Sequence, residues 1–147
     1  MRKSIVGVVI AALAVGLAPN FATAAEKAAR QGLDDRMHAV NETVKKRELM
    51  REALKGVSVE TGVPLAEVES MHKHHQDTGP AGILVACVLA DETKKNPDSF
   101  IKKHVDGAKW ADLARENKVP IEKLDAKLDK LERHLVAPGE KPKRRKD

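Results

Sequence analysis

Aromatic side chains are almost missing from this chain. Its 147 residues include one Trp, Trp110, two Phe, Phe21 and Phe100, and no Tyr. Extracellular sugar-binding sites and many ligand pockets depend on aromatic faces, and single-stranded nucleic acid is bound by stacking on them. The composition therefore argues against these kinds of site.

Cysteine is equally scarce, and Cys87 is the only one. A single cysteine excludes an intramolecular disulfide. Cys87 lies in the apolar run 83–90, so we expect a buried and unreactive thiol. An intermolecular disulfide or a reactive thiol is the alternative, although no neighbour in the sequence would obviously lower the pKa of the thiol.

The longest apolar run stands at the start of the chain. Arg2 and Lys3 precede it, residues 5–18 are apolar or Gly, and Ala22-Thr23-Ala24 follows. This order is typical of a secretory signal peptide, and about fourteen apolar residues are too few for a comfortable bilayer span. We predict a cleaved leader over residues 1–24 and a periplasmic or secreted protein with no transmembrane span after cleavage. An uncleaved N-terminal anchor is the alternative.

The body of the chain lacks an excess of either charge. The chain has 27 basic and 22 acidic residues, and the leader removes two of the basic ones. The tail, residues 137–147, holds two acidic residues and five basic ones: Lys141, Lys143, Arg144, Arg145 and Lys146. Residues 25–136 are therefore neutral, which argues against a nucleic-acid partner. We expect a disordered tail that aids solubility or contacts anionic envelope polymers or lipid headgroups.

The remaining pattern predicts an all-α domain over residues 25–136, built as a compact bundle of five or six helices. No stretch alternates apolar and polar residues between hairpin turns. A first helix is expected over residues 33–55, and Gly56 and Gly62 are expected to bracket a short helical turn.

A central helix is predicted from residues 81–90, which are apolar on all sides. Phe100, Trp110 and Cys87 are expected to anchor the core around it. Asn96-Pro97-Asp98 has a capping residue followed by Pro, which predicts the start of a further short helix. The last helix has the cleanest amphipathic stripe, with apolar side chains at Ile121, Leu124, Leu128, Leu131 and Leu135.

Two segments of the chain match without gaps at an offset of 56 residues. Residues 57–68 align with residues 113–124, so that Val63-Pro64 meets Val119-Pro120. Each copy predicts a short helix, a tight turn and a helix with Pro at its first position. This unit resembles the helix-turn-helix of DNA-binding proteins. The predicted export argues against DNA binding, and so do the neutral body and the mixed charges after Pro120. We therefore expect two helix-turn-helix corners that serve only in packing.

The sequence offers one local cluster of metal-ligand side chains, His72, His74 and His75. On a helix, His72 and His75 share a face and His74 points away. Zinc, copper or nickel accepts imidazole ligands, and Asp77 or the pair Asp34–Asp35 would be needed to complete a site. The alternative is a structural role near a helix C-terminus, where cationic His is favourable.

The segment Gly107-Ala-Lys-Trp110-Ala-Asp-Leu113-Ala114 resembles a pattern in small exported bacterial helical proteins of unknown function. The resemblance spans roughly residues 62–131 and implies a helical envelope protein without catalytic residues. No nucleophile-elbow motif surrounds any serine, so we expect a non-enzymatic binding or structural protein. Its expected partners are an envelope protein, an anionic envelope polymer or a second copy of the chain. No cofactor is expected unless the histidines hold a metal.

Overall fold

A computed structural model describes residues 24–136, with side chains from residue 32 onward. The predicted leader, apart from Ala24, and the basic tail lie outside the described residues. The described part contains helices and no strand, which confirms the all-α prediction. A short 3₁₀ turn, Gln76–Thr78, joins the third and fourth of seven α-helices in this part of the chain: α1 (Ala24–Lys46), α2 (Met50–Thr61), α3 (Leu65–His74), α4 (Gly79–Thr93), α5 (Pro97–Val105), α6 (Trp110–Glu116) and α7 (Ile121–Leu135).

The predicted first helix, 33–55, is wrong, because the chain breaks it into α1 and α2. Glu48 takes the left-handed conformation, with a φ of 54°. The N–H of Leu49 then donates to the carbonyl oxygen of Val44 at 2.9 Å, which closes the Schellman turn that ends many helices. This break contributes to a count of seven helices over residues 24–136, where five or six were expected.

Gly56 lies inside α2, so the short turn predicted after it is also wrong. A Cβ atom at Gly56 would lie 2.9 Å from Leu131 Cδ1 and 3.1 Å from His134 Cβ. Glycine at this position therefore lets α2 and α7 approach closely. Gly62 does end α2, with a left-handed φ of 74°.

The central helix is α4, as the apolar run predicted. Its residues 80–90 are all buried, and α4 packs against each of the other six helices. Phe100, Trp110 and Cys87 are buried around or within α4, with 1%, 3% and 4% of their surfaces exposed. A helix that is apolar on every side has no solvent face, so the other helices must enclose it. No helix within residues 24–136 is both long enough and apolar enough to span a membrane.

The two predicted corners have the same backbone conformation. Gly62 and Lys118, which are equivalent in the repeat, are both left-handed, with φ of 74° and 57°. Pro64 and Pro120 are both extended, with φ of −53° and −61°. Each proline precedes the helix as its N-cap residue, which corrects the predicted first helical position. The carbonyl of each proline accepts the first helical hydrogen bond, so its missing N–H is not needed.

Helix α7 carries acidic residues on one side of its buried leucine stripe and basic residues on the other. On one side, Asp125, Asp129 and Glu132 surround Arg36 of α1, with Arg36 Nη2 2.8 Å from Glu132 Oε2. On the other side lie three basic residues, of which His134 Nε2 is 3.1 Å from Glu60 Oε1 of α2. Lys127 and Lys130 complete that group, each 3.8 Å from Glu60. The alternating charges seen in the sequence therefore hold α7 between α1 and α2.

Helix α1 provides caps for two other helices. Asp34 accepts the backbone N–H groups of Trp110 and Ala111 at 3.2 and 3.4 Å, at the start of α6. Asn41 accepts the N–H of Ala81 at 3.0 Å and donates to the carbonyl oxygen of Thr78 at 3.3 Å, at the start of α4. Neither α4 nor α6 has a side-chain cap from its own N-cap residue. The first N–H groups of both helices therefore depend on side chains of α1.

Removal of these caps is expected to lower the free energy of unfolding. We expect a loss of about 1 kcal/mol for Asp34→Ala, the same for Asn41→Ala, and about 2 kcal/mol for the double variant. Urea unfolding followed by circular dichroism measures each value. Thr43→Ala is the matched control, because among the described residues the Thr43 hydroxyl bonds only within α1, where it donates to the carbonyl oxygen of Ala39. Equal losses from Asn41→Ala and Thr43→Ala would contradict the capping role.

Candidate functional site

The two corners differ in the helix that begins after the proline. The offset of 56 residues places His72 and His75 where the second corner has Leu128 and Leu131. Both leucines are fully buried, whereas both histidines are half-buried. The second corner therefore closes against the bundle, whereas the first corner places His75 beside an open space.

This space is a groove between α3 and the start of α5, with a volume of about 580 Å³. Val68 and Met71 turn the apolar stripe of α3 toward the core, which leaves its polar side chains facing outward. Eight residues line the groove: Glu67, Ser70, Met71, His74, His75, Asn96, Pro97 and Asp98. We call it the α3–α5 groove.

The start of α5 is fixed by the cap that the sequence predicted. Asn96 Oδ1 accepts the N–H of Asp98 at 2.9 Å, and Pro97 occupies the first turn. This geometry turns the Asp98 carboxylate toward α3, where Asp98 Oδ1 lies 3.2 Å from His75 Nε2. The pair joins the C-terminal end of α3 to the N-terminal end of α5.

The three clustered histidines have three different environments. His74 Nδ1 lies 2.7 Å from the carbonyl oxygen of Ser70, within its own helix. His75 faces Asp98 across the groove. His72 Nδ1 is buried and has no hydrogen-bond partner among the described residues. Burial of the ring lowers the pKa of His72, because an uncompensated charge is unfavourable there.

The fold does not gather the predicted metal ligands into one set. Within residues 32–136, no group of three or more His, Cys, Asp or Glu side chains is placed to hold a metal ion. Asp34, which the sequence offered as a further ligand, instead caps α6. His74 and His75 do line the same groove, so metal binding by the cluster stays a prediction.

Cys87 belongs to the central helix, and two carboxylates of the groove act on it. Burial raises the pKa of the Cys87 thiol to about 12, and the negative charges of Glu67 and Asp98 add to the shift. A thiol with this pKa is almost wholly protonated at neutral pH and is a poor nucleophile or metal ligand. Burial and these two charges therefore disfavour the reactive thiolate form of Cys87.

Two of the other histidines, His104 and His134, have partners in the fold. The His104 ring stacks on Trp110, with centroids 4.5 Å apart and planes 24° from parallel. His104 Nδ1 lies 2.8 Å from the carbonyl oxygen of Ala108, and His134 pairs with Glu60 of α2. These contacts join neighbouring elements of the bundle and place neither ring in the α3–α5 groove.

The sequence pointed to His74 and His75 but gave no sign of the residues opposite them. Asn96 and Pro97 were recognised only as a helix start, and Asp98 as part of the same signature. No sequence pattern links Asp98 to His75, because their contact depends on how α4 packs between α3 and α5 in the folded bundle.

Substitution of the unpartnered histidine is expected to stabilise the protein. Leu is the residue that the second corner has at this place, and His72→Leu should raise the free energy of unfolding by about 1 kcal/mol at pH 7.5. Because the folded-state pKa of His72 is lowered, the unfolded state binds the proton more readily below about pH 6.5. The parent should therefore lose stability as pH falls, and the advantage of His72→Leu should grow between pH 7.5 and 5.5.

Urea unfolding at both pH values measures this advantage. His38→Leu is the matched control, since His38 is exposed on α1. The same pH-dependent gain from both substitutions would show that burial of His72 is not the cause.

Comparison with known proteins finds no match: no family model, no curated protein and no solved structure is similar to this chain. The resemblance around Trp110 therefore stays a prediction. The difference between the two corners of the fold is therefore the evidence for a functional site.

Proposed function

We propose that this chain is an exported, non-enzymatic helical protein that binds a protein of the cell envelope through the α3–α5 groove. The observation that carries this proposal is the contrast between the corners. One corner buries leucines, and the other places half-buried His75 and exposed His74 beside an open groove that two carboxylates also line. Residues that oppose tight packing are expected where function requires them.

The shape and chemistry of the groove suit recognition of a partner segment. Met71 and Pro97 supply apolar surface, while Ser70, Asn96 and the His75–Asp98 pair supply polar groups. Binding sites commonly combine an apolar lining with a few placed polar groups. The predicted leader, residues 1–24, supports an envelope partner, because it would deliver the mature chain outside the cytoplasm.

Site-specific photocrosslinking in the native envelope tests the groove. A benzophenone amino acid at Ser70 should give one defined adduct, and the same probe at exposed Lys109 on the α5–α6 turn should give none. Asp98→Lys should remove the Ser70 adduct without changing the unfolding midpoint by more than a few degrees. Equal labelling from Ser70 and Lys109 would contradict a specific site.

The export half of the proposal has its own test. Fractionation and N-terminal sequencing should find the mature chain in the envelope fraction, starting at Ala25. The intact chain in the cytosol, still beginning at Met1, would overturn the predicted location.

A transition-metal ion is the second candidate, favoured by the two imidazoles and two carboxylates that line the same groove. Tag-free protein titrated calorimetrically with Zn²⁺, Cu²⁺ and Ni²⁺ tests it. A dissociation constant below about 10 µM that is lost in His74→Ala/His75→Ala would support this candidate. Absence of binding at that level would leave the protein partner as the proposal.

A further inference from the structure

The α3–α5 groove has a negative lining. Glu67 and Asp98 line it, one on each helix, and none of its eight lining residues is Lys or Arg. These two carboxylates give the lining a formal charge of −2 when both imidazoles are neutral. Lys73 and Lys95 are close to the groove in the sequence, but neither lines it, and Lys95 Nζ donates to Asn117 Oδ1 at 3.0 Å. The negative charge is therefore not balanced within the lining.

The second corner has no equivalent of the Glu67 carboxylate. The offset of 56 residues places Glu67 where the second corner has Lys123, which pairs with Glu92 of α4. Within residues 32–136, Glu67 forms no ion pair, and the carboxylate of Asp98 pairs only with His75. The second corner thus uses this position to hold two helices together, whereas the first corner leaves a carboxylate beside the groove.

The two carboxylates act on one region from the two sides of the groove. Burial raises the pKa of the Cys87 thiol, and the charges of Glu67 and Asp98 raise it further. Because charges in water are screened over about 10 Å at 0.1 M salt, an effect on the same thiol requires both carboxylates to lie near it. A cation bound in the groove would therefore be attracted by both carboxylates at once.

The rest of the lining suits a long basic side chain. Met71 and Pro97 provide apolar surface beside the carboxylates, and Ser70 and Asn96 provide polar groups. Lys and Arg side chains place an apolar stem on such a surface while the charged head contacts a carboxylate. Arg adds a planar guanidinium that binds carboxylates through paired hydrogen bonds. The volume of about 580 Å³ has room for such a side chain together with its backbone.

We propose that the α3–α5 groove binds a segment of its partner protein that carries Arg or Lys. This inference rests on the proposed function of the groove and names the chemistry of the segment that it takes. Complementary charges steer the encounter of two proteins and suppress partners of the wrong charge. An acidic segment would meet the carboxylates of Glu67 and Asp98 without compensation, so the groove should reject it.

Binding of short fluorescein-labelled peptides to the mature chain tests this inference. One peptide alternates Ala with Arg and the other alternates Ala with Gln, and EDTA excludes binding through a metal ion. The Arg peptide should bind at least about tenfold more tightly than the Gln peptide by fluorescence anisotropy. Its affinity should fall several-fold between 0.1 and 1 M salt, since the screening length falls from about 10 to about 3 Å. Equal affinities, or no binding of the Arg peptide below about 1 mM, would overturn the inference.

Removal of the two charges should remove the preference for the Arg peptide. Glu67→Gln/Asp98→Asn should weaken binding of this peptide about tenfold and leave the Gln peptide unaffected. Glu69→Gln/Asp106→Asn is the matched control, because it makes the same change of charge on α3 and just after α5, at residues that do not line the groove. All four side chains are exposed, so both variants should keep the fold.

The control variant should change the affinity for the Arg peptide less than about twofold. An equal loss from the two variants would show that only net charge matters, and it would overturn the placement of the peptide in the groove.

Spermidine, a cation without a peptide backbone, forms the second arm of the test. It should displace the labelled Arg peptide only at concentrations at least about tenfold higher than those of unlabelled Arg peptide, because it offers nothing for Ser70 and Asn96 to recognise. Displacement at equal concentrations would overturn a protein segment in favour of a small organic cation.

Photocrosslinking from Ser70 separates failure of this inference from failure of the proposed function. A defined Ser70 adduct in the envelope, with no preference for the Arg peptide, would keep the groove as a binding site and overturn a basic segment. Preference for the Arg peptide, with no Ser70 adduct in the envelope, would support the basic segment and contradict an envelope protein as its source.

Discussion

Phe100→Ala is expected to lower the free energy of unfolding by about 3–5 kcal/mol. Phe100 is 1% exposed and packs α5 against the central helix α4. Truncation to alanine removes the buried ring and leaves a cavity that the helices can only partly close. Small domains have about 5–15 kcal/mol of stability in total, so this one substitution should bring the protein near its unfolding limit at 37 °C.

Thermal and urea unfolding, followed by circular dichroism at 222 nm, measure the loss. Val105→Ala is the control on the same helix, because Val105 is 65% exposed. It should change stability by less than about 0.5 kcal/mol. Similar losses from the two substitutions would mean that Phe100 does not hold α5 against α4.

The Cys87 thiol is expected to react at least about thirtyfold more slowly in the folded protein than in the unfolded chain, since the lower thiolate fraction is partly offset by the higher nucleophilicity of a more basic thiolate. Its pKa rises from 9.0 to about 12, mainly through burial, so the thiolate fraction at pH 7.5 falls by about three powers of ten. The thiolate is the reactive species in disulfide exchange, and burial at 4% exposure adds a steric barrier. The folded protein should therefore form no disulfide-linked dimer under oxidising conditions.

Reaction with an aromatic disulfide reagent, with and without 8 M urea, measures the two rates. A Cys87→Ser/Val105→Cys variant places one thiol on an exposed site of the folded protein and is the positive control. If native Cys87 reacted within about tenfold of that control, α3 or α5 would have to open readily over α4.

Much of the fold could be predicted from local pattern. The apolar run at 81–90 predicted the central helix, and the stripe from Ile121 to Leu135 predicted α7. Asn96 before Pro97 predicted the start of α5. In each case the signal lies within the element itself, as periodicity or as a cap, and needs no knowledge of the neighbouring helices.

The sequence did not predict the break between α1 and α2, because the break is made at Glu48, a residue type that rarely takes the left-handed conformation. Helices commonly end with Gly in the left-handed position, and Gly62 ends α2 in this way. Glu48, Lys94 and Lys118 take the same conformation without being Gly. Packing of the following helix must hold these residues in the left-handed conformation, and a local sequence pattern does not predict such packing.

The candidate site was only half visible in the sequence. The histidine cluster stood out by composition, but the carboxylate that faces His75 is Asp98, 23 positions away along the chain. The sequence likewise gave no sign that Asp34 and Asn41 cap two other helices. Contacts of this kind depend on how the helices cross, and a single sequence carries no direct record of that.

The position of the α4 and α6 caps on α1 has a consequence for biosynthesis. Translation delivers α1 first, before the two helices whose N-termini it stabilises exist. Asn41 can form its bonds only after the chain has extended past residue 81, and Asp34 can form its own only after residue 111. In a nascent chain that is released early, Asp34 and Asn41 therefore have no helix to cap. A chain shortened from its N-terminus past residue 41 would lack both caps, even if every later residue were present.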